Sequence, residues 1–403
     1  MTPFKIAVPD AVLEDLRRRL AATRWPRPVP RGGGWAYGAD LGYMKDLVDY
    51  WLNRFDWRAQ ERRLNRFAQF KADVGGIGVH FIHEKGRGPN PVPLLLLHGF
   101  PWSVAMFEKI IPMLTDPASH GGDPADSFTV VAPSLIGFGF SDAAPEQGFQ
   151  FVKQADTLRE LMVGPLGYTR FGVQGGDWGG IICTPLGYQY PQNVIGMSQN
   201  YMGVTIRQEH TPAPNEIRGH GMETAPLCPT DPETLKFWKI FEAWCEGEGG
   251  YRHIQMTRPQ TLAYAMSDSP AGLAAWIAEK LRAWSDCGGD VETVFTKDEI
   301  LTTVMLYWLE CSFSSAIRIY YETKHHPWKL KPGDCVTTPA AFTAFPKEHT
   351  PIFKSRAAAY YSDIRRFTEM KRGGHFAAFE CPEDLAGELR AFFRPLRGKE
   401  TLP

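Results

Sequence analysis

Net charge, paired cysteines and long apolar runs are all scarce in this chain. Lys and Arg number 44 against 45 Asp and Glu, a formal net charge of −1. With no basic excess to attract nucleic acid or an anionic membrane, the expected ligand is small and uncharged. The seven cysteines (Cys183, Cys228, Cys245, Cys287, Cys311, Cys335 and Cys381) are scattered, odd in number and free of any CxxC pair. That pattern argues against a disulfide framework and against a zinc site. No stretch approaches the ~18 consecutive apolar residues of a membrane span. The opening Met1-Thr2-Pro3-Phe4-Lys5-Ile6 lacks the charged-then-apolar pattern of a secretory signal. A soluble protein in a reducing, cytoplasmic setting is the expectation.

What is present is an ordinary globular composition, 43% hydrophobic and 22% charged over 403 residues, enough for about two or three domain-sized units. Twelve Trp and 25 Phe suit an apolar pocket as well as a plain core. Residues 9–25 read as an amphipathic helix, with Val12, Leu13, Leu16 and Leu20 on one face. Helical patterns follow over 41–55 and 57–67, then two strands over 70–83 joined at Gly75-Gly76. This region, 1–90, is an N-terminal arm leading into a sheet.

From Pro93 the rhythm becomes strand, loop, helix. Leu94–Leu97 is a short apolar run of the kind buried on both faces, ending in His98-Gly99-Phe100-Pro101-Trp102. A helix over 106–114, a strand over 128–133, a helix over 152–163 and strands at 171–175 and 193–200 continue it. Such alternation predicts an α/β protein with a mostly parallel sheet, its site at the carboxyl ends of the strands. Over 204–332 helical patterns (235–245, 270–284, 297–321) replace strands, as expected of a cap inserted late in a core that spans 91–203 and 333–403. Strands at 340–344 and 367–370 and a helix over 382–393 close the chain.

The most informative stretch is Gly175-Gly176-Asp177-Trp178-Gly179. It has the spacing of a nucleophile elbow, where a strand turns sharply into a helix and lifts one side chain above the sheet edge. Asp stands where serine is usual. The bland alternative is an Asp that merely caps a helix. Against it, Gly373-Gly374-His375 follows the last strand, giving the chain order nucleophile, acid, histidine of α/β-hydrolases. Glu348, after Phe345-Pro346, is the leading acid to orient the imidazole; Asp334 and Asp363 compete.

An aspartate nucleophile predicts a particular chemistry. Its carboxylate displaces at an sp3 carbon and forms an ester, which water activated by His375 then cleaves. Epoxides and carbon–halogen bonds fit; a dehalogenase is the runner-up reading, although the Phe100 side chain has no N–H for a halide. The backbone N–H groups of Phe100 and Trp178 are the expected oxyanion donors. An opening epoxide needs a neutral acid, and a phenol suits; Tyr251, Tyr264, Tyr307, Tyr320 and Tyr321 of the cap are all open candidates.

At this point the chain resembles the microsomal-type epoxide hydrolases. The resemblance rests on Arg24-Trp25-Pro26, His98-Gly99-Phe100-Pro101, the Asp177 elbow, Gly250-Tyr251-Arg252-His253, Met305-Leu306-Tyr307-Trp308 and Gly373-Gly374-His375-Phe376-Ala377-Ala378. It implies an α/β-hydrolase core, an N-terminal meander against the cap, and no cofactor or metal. It assigns nucleophile, base and acid to Asp177, His375 and Glu348, and the ring-opening pair to Tyr251 and Tyr320, with Tyr321 as the neighbouring alternative. Trp102, Trp178 and Phe376 are expected to contact substrate. Expected partners are a small hydrophobic epoxide and water, without nucleic acid or membrane anchor; a homodimer is left open. Many family members carry Trp at the position of Phe100, a change that should alter pocket shape and leave the backbone donor intact.

Overall fold

The computed structural model describes residues 1–203, 232–331 and 333–397. The expected cap boundaries at 204 and 332, and the last six residues, lie outside them.

Among the described residues nine strands form a single sheet: β1 (Thr2–Phe4), β2 (Gln69–Val74), β3 (Ile77–Glu84), β4 (Val92–Leu97), β5 (Phe128–Pro133), β6 (Phe171–Gly175), β7 (Val194–Gln199), β8 (Ala340–Ala344) and β9 (Ile364–Glu369). Their order is β1-β2-β3-β5-β4-β6-β7-β8-β9. The first three strands pair antiparallel with one another, and β3 pairs antiparallel with β5. From β5 across to β9 every pairing is parallel. The arm is therefore no appendage: its hairpin, turning at Gly75-Gly76, extends the core sheet. β4 is buried throughout, with Leu94–Leu97 fully inaccessible. Such a strand sits between two neighbours under helices on both faces, which is why its sequence is a continuous apolar run.

Strand order reverses at β4, which has β5 on one side and β6 on the other. Loops leaving β4 and β6 thus diverge from adjacent strand ends, the usual place for a site in such sheets. Leu97 pairs with Gly175, so the Gly99-Phe100 loop and Asp177 emerge side by side.

Described cap helices cover Pro232–Glu248, Gly250–Thr257, Pro259–Asp268, Pro270–Trp284, Lys297–Trp308, Phe313–Ala316 and Arg318–His325. Pro259 and Pro270 occupy first-turn positions where a missing N–H costs nothing. Thr296 and Glu299 close a capping box. Two expected helices are broken. The one over 106–114 is a turn at Val104–Phe107 and a helix at Ile110–Thr115, because Pro112 cannot bond back to Glu108. The one over 297–321 bends by 84° at 309–312, where Cys311 has φ +47°. No single described helix is long and apolar enough to cross a membrane.

The arm also fastens the cap. Arg19 pairs with Asp268 at 2.7 Å, Lys297 with Asp46 at 2.9 Å, and the Tyr50 hydroxyl donates to Asp298 at 3.0 Å. Each such pair is worth roughly 0–1 kcal/mol near the surface; buried Leu16, Leu20, Trp51 and Trp57 contribute more through apolar burial.

Candidate active site

Asp177 sits between β6 and the Trp178–Gln189 helix with φ +50° and ψ −128°. A non-glycine residue held there is strained, and such strain persists only where surrounding contacts over-determine it. They do so here through close backbone approach. A Cβ on Gly179 would lie 2.1 Å from the Leu97 carbonyl oxygen, and one on Gly99 would lie 2.0 Å from Asp177 Oδ1. The Phe100 N–H donates to Asp177 Oδ1 at 2.8 Å. The Trp178 N–H begins the helix, where amides lack an intrahelical acceptor. Buried His98 fixes the loop beneath, its Nε2 accepting from the Leu135 N–H at 3.1 Å.

β8 and β9 are parallel neighbours, and their pairing resumes beyond the strand ends: Lys347 bridges to Gly374, and its N–H donates to the Gly373 carbonyl at 3.1 Å. That register brings Glu348 under His375, whose Nδ1 lies 3.0 and 2.9 Å from the two carboxylate oxygens. On the other side Nε2 is 3.3 Å from Asp177 Oδ2, close enough for strong electrostatic attraction. Asp334 instead accepts from the Tyr188 hydroxyl and Asp363 pairs with Arg365, so neither competitor reaches the imidazole.

Burial opposes charge on His375, but Glu348 and Asp177 outweigh it and hold the imidazole above its usual range, to about 10. Glu348 moves the other way: burial pushes it up, and the positive imidazole beside it brings it down to about 2.

Glu380, which nothing in the sequence pattern marks, shapes the loop that carries His375. Its carboxylate accepts from the N–H groups of Gly374 (3.1 Å), Phe376 (2.8 Å) and Asp286 (2.8 Å). The Asp286 carboxylate accepts in turn from the Gly373 N–H at 3.0 Å, and the His375 N–H donates to the Trp284 carbonyl at 2.9 Å. Base loop and cap are stitched together here. Burial raises Glu380 to about 7 against the pull of its N–H donors.

From the cap, Tyr251 and Tyr320 enter the cavity above Asp177, both buried. Burial and the Asp177 charge hold Tyr251 well above a normal phenol. For Tyr320 burial, the neighbouring Tyr251 and Asp177 do the same. Both phenols keep their protons at neutral pH. Phe100 seats them, stacking on Tyr251 at 6.2 Å and meeting Tyr320 edge-on at 5.9 Å. Of the other cap tyrosines, Tyr264 is exposed, Tyr307 donates to the Trp102 carbonyl, and Tyr321 stacks on His325 along an outer groove.

Trp178 lines the cavity, against Tyr320 at 4.7 Å. Trp102 and Phe376 do not. They pack on each other at 5.1 Å and on Phe295, outside the residues that line this cavity. In their place the cavity is walled by Phe237, Phe241 and Trp244 of the Pro232–Glu248 helix, with Arg252 and His349. The helical spacing 237, 241, 244 was visible in the sequence as one apolar stripe. His349 shares Glu348 with His375 and stacks on Trp284 at 4.9 Å; nothing in its sequence position announced that.

Residues 1–107 match the family described as epoxide hydrolase N terminus, and residues 92–198 that of the alpha/beta hydrolase fold. Epoxide hydrolase 1 of Sus scrofa is 37% identical over 409 residues, covering 97% of this chain and 88% of its own. The chain belongs to the epoxide hydrolase family. Solved relatives agree with this hydrolase's architecture. Aspergillus niger epoxide hydrolase superposes with a TM-score of 0.81 at 28% identity, covering 98% of this chain and 96% of that one. Juvenile hormone epoxide hydrolase from Bombyx mori gives 0.80 at 27% identity, covering 99% and 94%.

Proposed function

We propose that this family member opens hydrophobic epoxides to vicinal diols in two covalent steps. The reading rests chiefly on two neutral phenols, Tyr251 and Tyr320, sharing one cavity with Asp177, behind which His375 and Glu348 lie in line. A departing halide has no use for a proton, whereas the oxygen of an opening epoxide takes one; the phenols therefore favour the epoxide over the halide reading.

In the first step an Asp177 carboxylate oxygen bonds to an epoxide carbon. The ring C–O bond breaks, its electron pair stays on oxygen, and that oxygen takes the proton of Tyr251, with Tyr320 supporting. At rest His375 lies between two carboxylates and keeps its proton. Ester formation cancels the Asp177 charge, so the imidazolium gives up its proton while the phenolate regains one, and His375 becomes a base.

In the second step water adds to the Asp177 carboxyl carbon and loses a proton to His375. The Phe100 and Trp178 amides hold the developing oxyanion. The bond to the substrate oxygen then breaks, and that oxygen takes the proton of the new carboxyl group. Carboxylate, imidazolium and phenol are all restored. The aromatic wall suits aryl and alkyl epoxides.

His375→Gln removes the base without removing the nucleophile. Mixed with styrene oxide, it should accumulate a covalent adduct on Asp177, seen by mass spectrometry as intact-protein mass and localised by peptide mapping. An adduct-free protein that has consumed epoxide would sink the two-step scheme.

A further inference from the structure

Lys280 is a buried ammonium that this reaction scheme has not used. It lies on the Pro270–Trp284 helix, its side chain 8% exposed, with Nζ 2.9 Å from Glu248 and 2.7 Å from Glu279. The same Nζ stands 5.0 Å from the centre of the Tyr251 ring and 5.8 Å from that of Trp284. Glu248 and Tyr251 are three residues apart across the junction of two cap helices, so Lys280 bridges the anchor and the phenol at once. Anchoring alone does not call for the ring: long charged side chains usually run their heads out to water, and both carboxylates are more exposed than the ammonium they hold.

Charge conservation gives the cation a task. When the epoxide opens, one negative charge leaves Asp177 and passes to the Tyr251 oxygen. Phenolate charge spreads into the ring, and a cation near a ring face is attracted more strongly as that face becomes more negative. Arg252 acts on Tyr251 in the same direction. Against both stand burial and the Asp177 carboxylate, and the second of these disappears in the step itself.

We propose that Lys280 is a positioning residue for ring opening, stabilising through the Tyr251 ring the negative charge that Tyr251 takes on. The effect belongs to ester formation and not to ester hydrolysis. It rests on the reading of Tyr251 as proton donor.

The test separates the two steps by quenched single-turnover mixing with styrene oxide, following the Asp177 adduct by mass spectrometry. Lys280→Met should slow ester formation about 10-fold, and Lys280→Arg should restore it to within about 3-fold. Decay of the formed ester should stay within about 2-fold in both. In a Tyr251→Phe background, Lys280→Met should add nothing, because the charge it serves is never formed. Equal slowing of both steps, or full multiplicative slowing on top of Tyr251→Phe, overturns the proposal and leaves Lys280 a structural anchor. If Tyr251→Phe alone forms ester at the unaltered rate, the donor reading itself has failed and takes Lys280 with it. Should Lys280→Met not fold, the Glu248→Gln/Glu279→Gln pair offers the reverse probe. With competing carboxylates gone, ester formation should speed up about 3-fold, and an unchanged rate overturns the proposal.

Discussion

The two walls of the catalytic cavity are held by different means. On the core side, Asp177 and its amide donor are fixed by backbone against backbone: Leu97 beside Gly175, the Leu97 carbonyl against Gly179, Gly99 under the Asp177 carboxylate. On the cap side, Tyr251 and Tyr320 are fixed by ring on ring, with Phe100, Trp178 and Trp284 as their seats. Backbone contacts tolerate no added atom. Ring contacts tolerate exchange of one aromatic for another. The two walls meet where Glu380 and Asp286 tie the His375 loop to the end of a cap helix.

Removing both phenols breaks the cap wall most severely. Tyr251→Phe and Tyr320→Phe should each slow ring opening by about 10- to 100-fold, and the double variant by about 10³-fold or more. Single-turnover rates decide this; two singles at full rate would move the donor role elsewhere.

One methyl group should damage the core wall nearly as much. Gly99→Ala places a carbon on Asp177 and should cost about 100-fold in kcat/KM, while near-ultraviolet circular dichroism stays native. An active Gly99→Ala enzyme would show that the loop yields and that its close contacts are not rigid.

The electrostatic link between the walls is sharper than it is large. Asp177→Asn removes one of the two carboxylates that hold the His375 proton, so the imidazole should titrate below about 10, measured by ¹⁵N NMR of the ring. An unchanged titration would mean that Glu348 alone sets it.

The smallest effect concerns stability at the tie. Glu380 is raised to about 7 from a usual 4.5, so its native form binds a proton that the unfolded chain has released. Its titration therefore contributes stability fully present below about pH 4.5 and lost as pH rises through about 7. Glu380→Gln should lower stability by about 1–3 kcal/mol and flatten that part of the pH profile in denaturant melts. A variant whose stability still falls across the same range would assign the titration to another group.

The core wall was the more legible of the two. Gly175-x-Asp177-x-Gly179, His98-Gly99-Phe100 and Gly373-Gly374-His375 are contiguous, because a backbone turn is written in neighbouring residues. Glu348 was harder, since any acid following the strand would serve. Only the folded chain separates them: Asp334 and Asp363 are engaged with Tyr188 and Arg365, while the Lys347–Gly373 pairing carries Glu348 to His375. The cap was harder still. Tyr320 and Tyr321 differ by one position on a helix, which turns them about 100° apart, and one faces the nucleophile while the other faces an outer groove. Trp102 and Phe376 looked like pocket residues because they flank catalytic loops. Being next to a site in the chain does not decide which way a ring turns.

The sequence by itself determined the alternation of strands and helices through the core, the sharp turn at Asp177 and the presence of a carboxylate where such a turn usually carries serine, for these follow from local patterning and from the chemistry of single residues. The tertiary structure decided which acid reaches His375, which tyrosines face Asp177, and that Lys280 and Glu380 lie behind them. Those depend on distances between residues far apart in the chain, fixed only when sheet register and cap packing are in place.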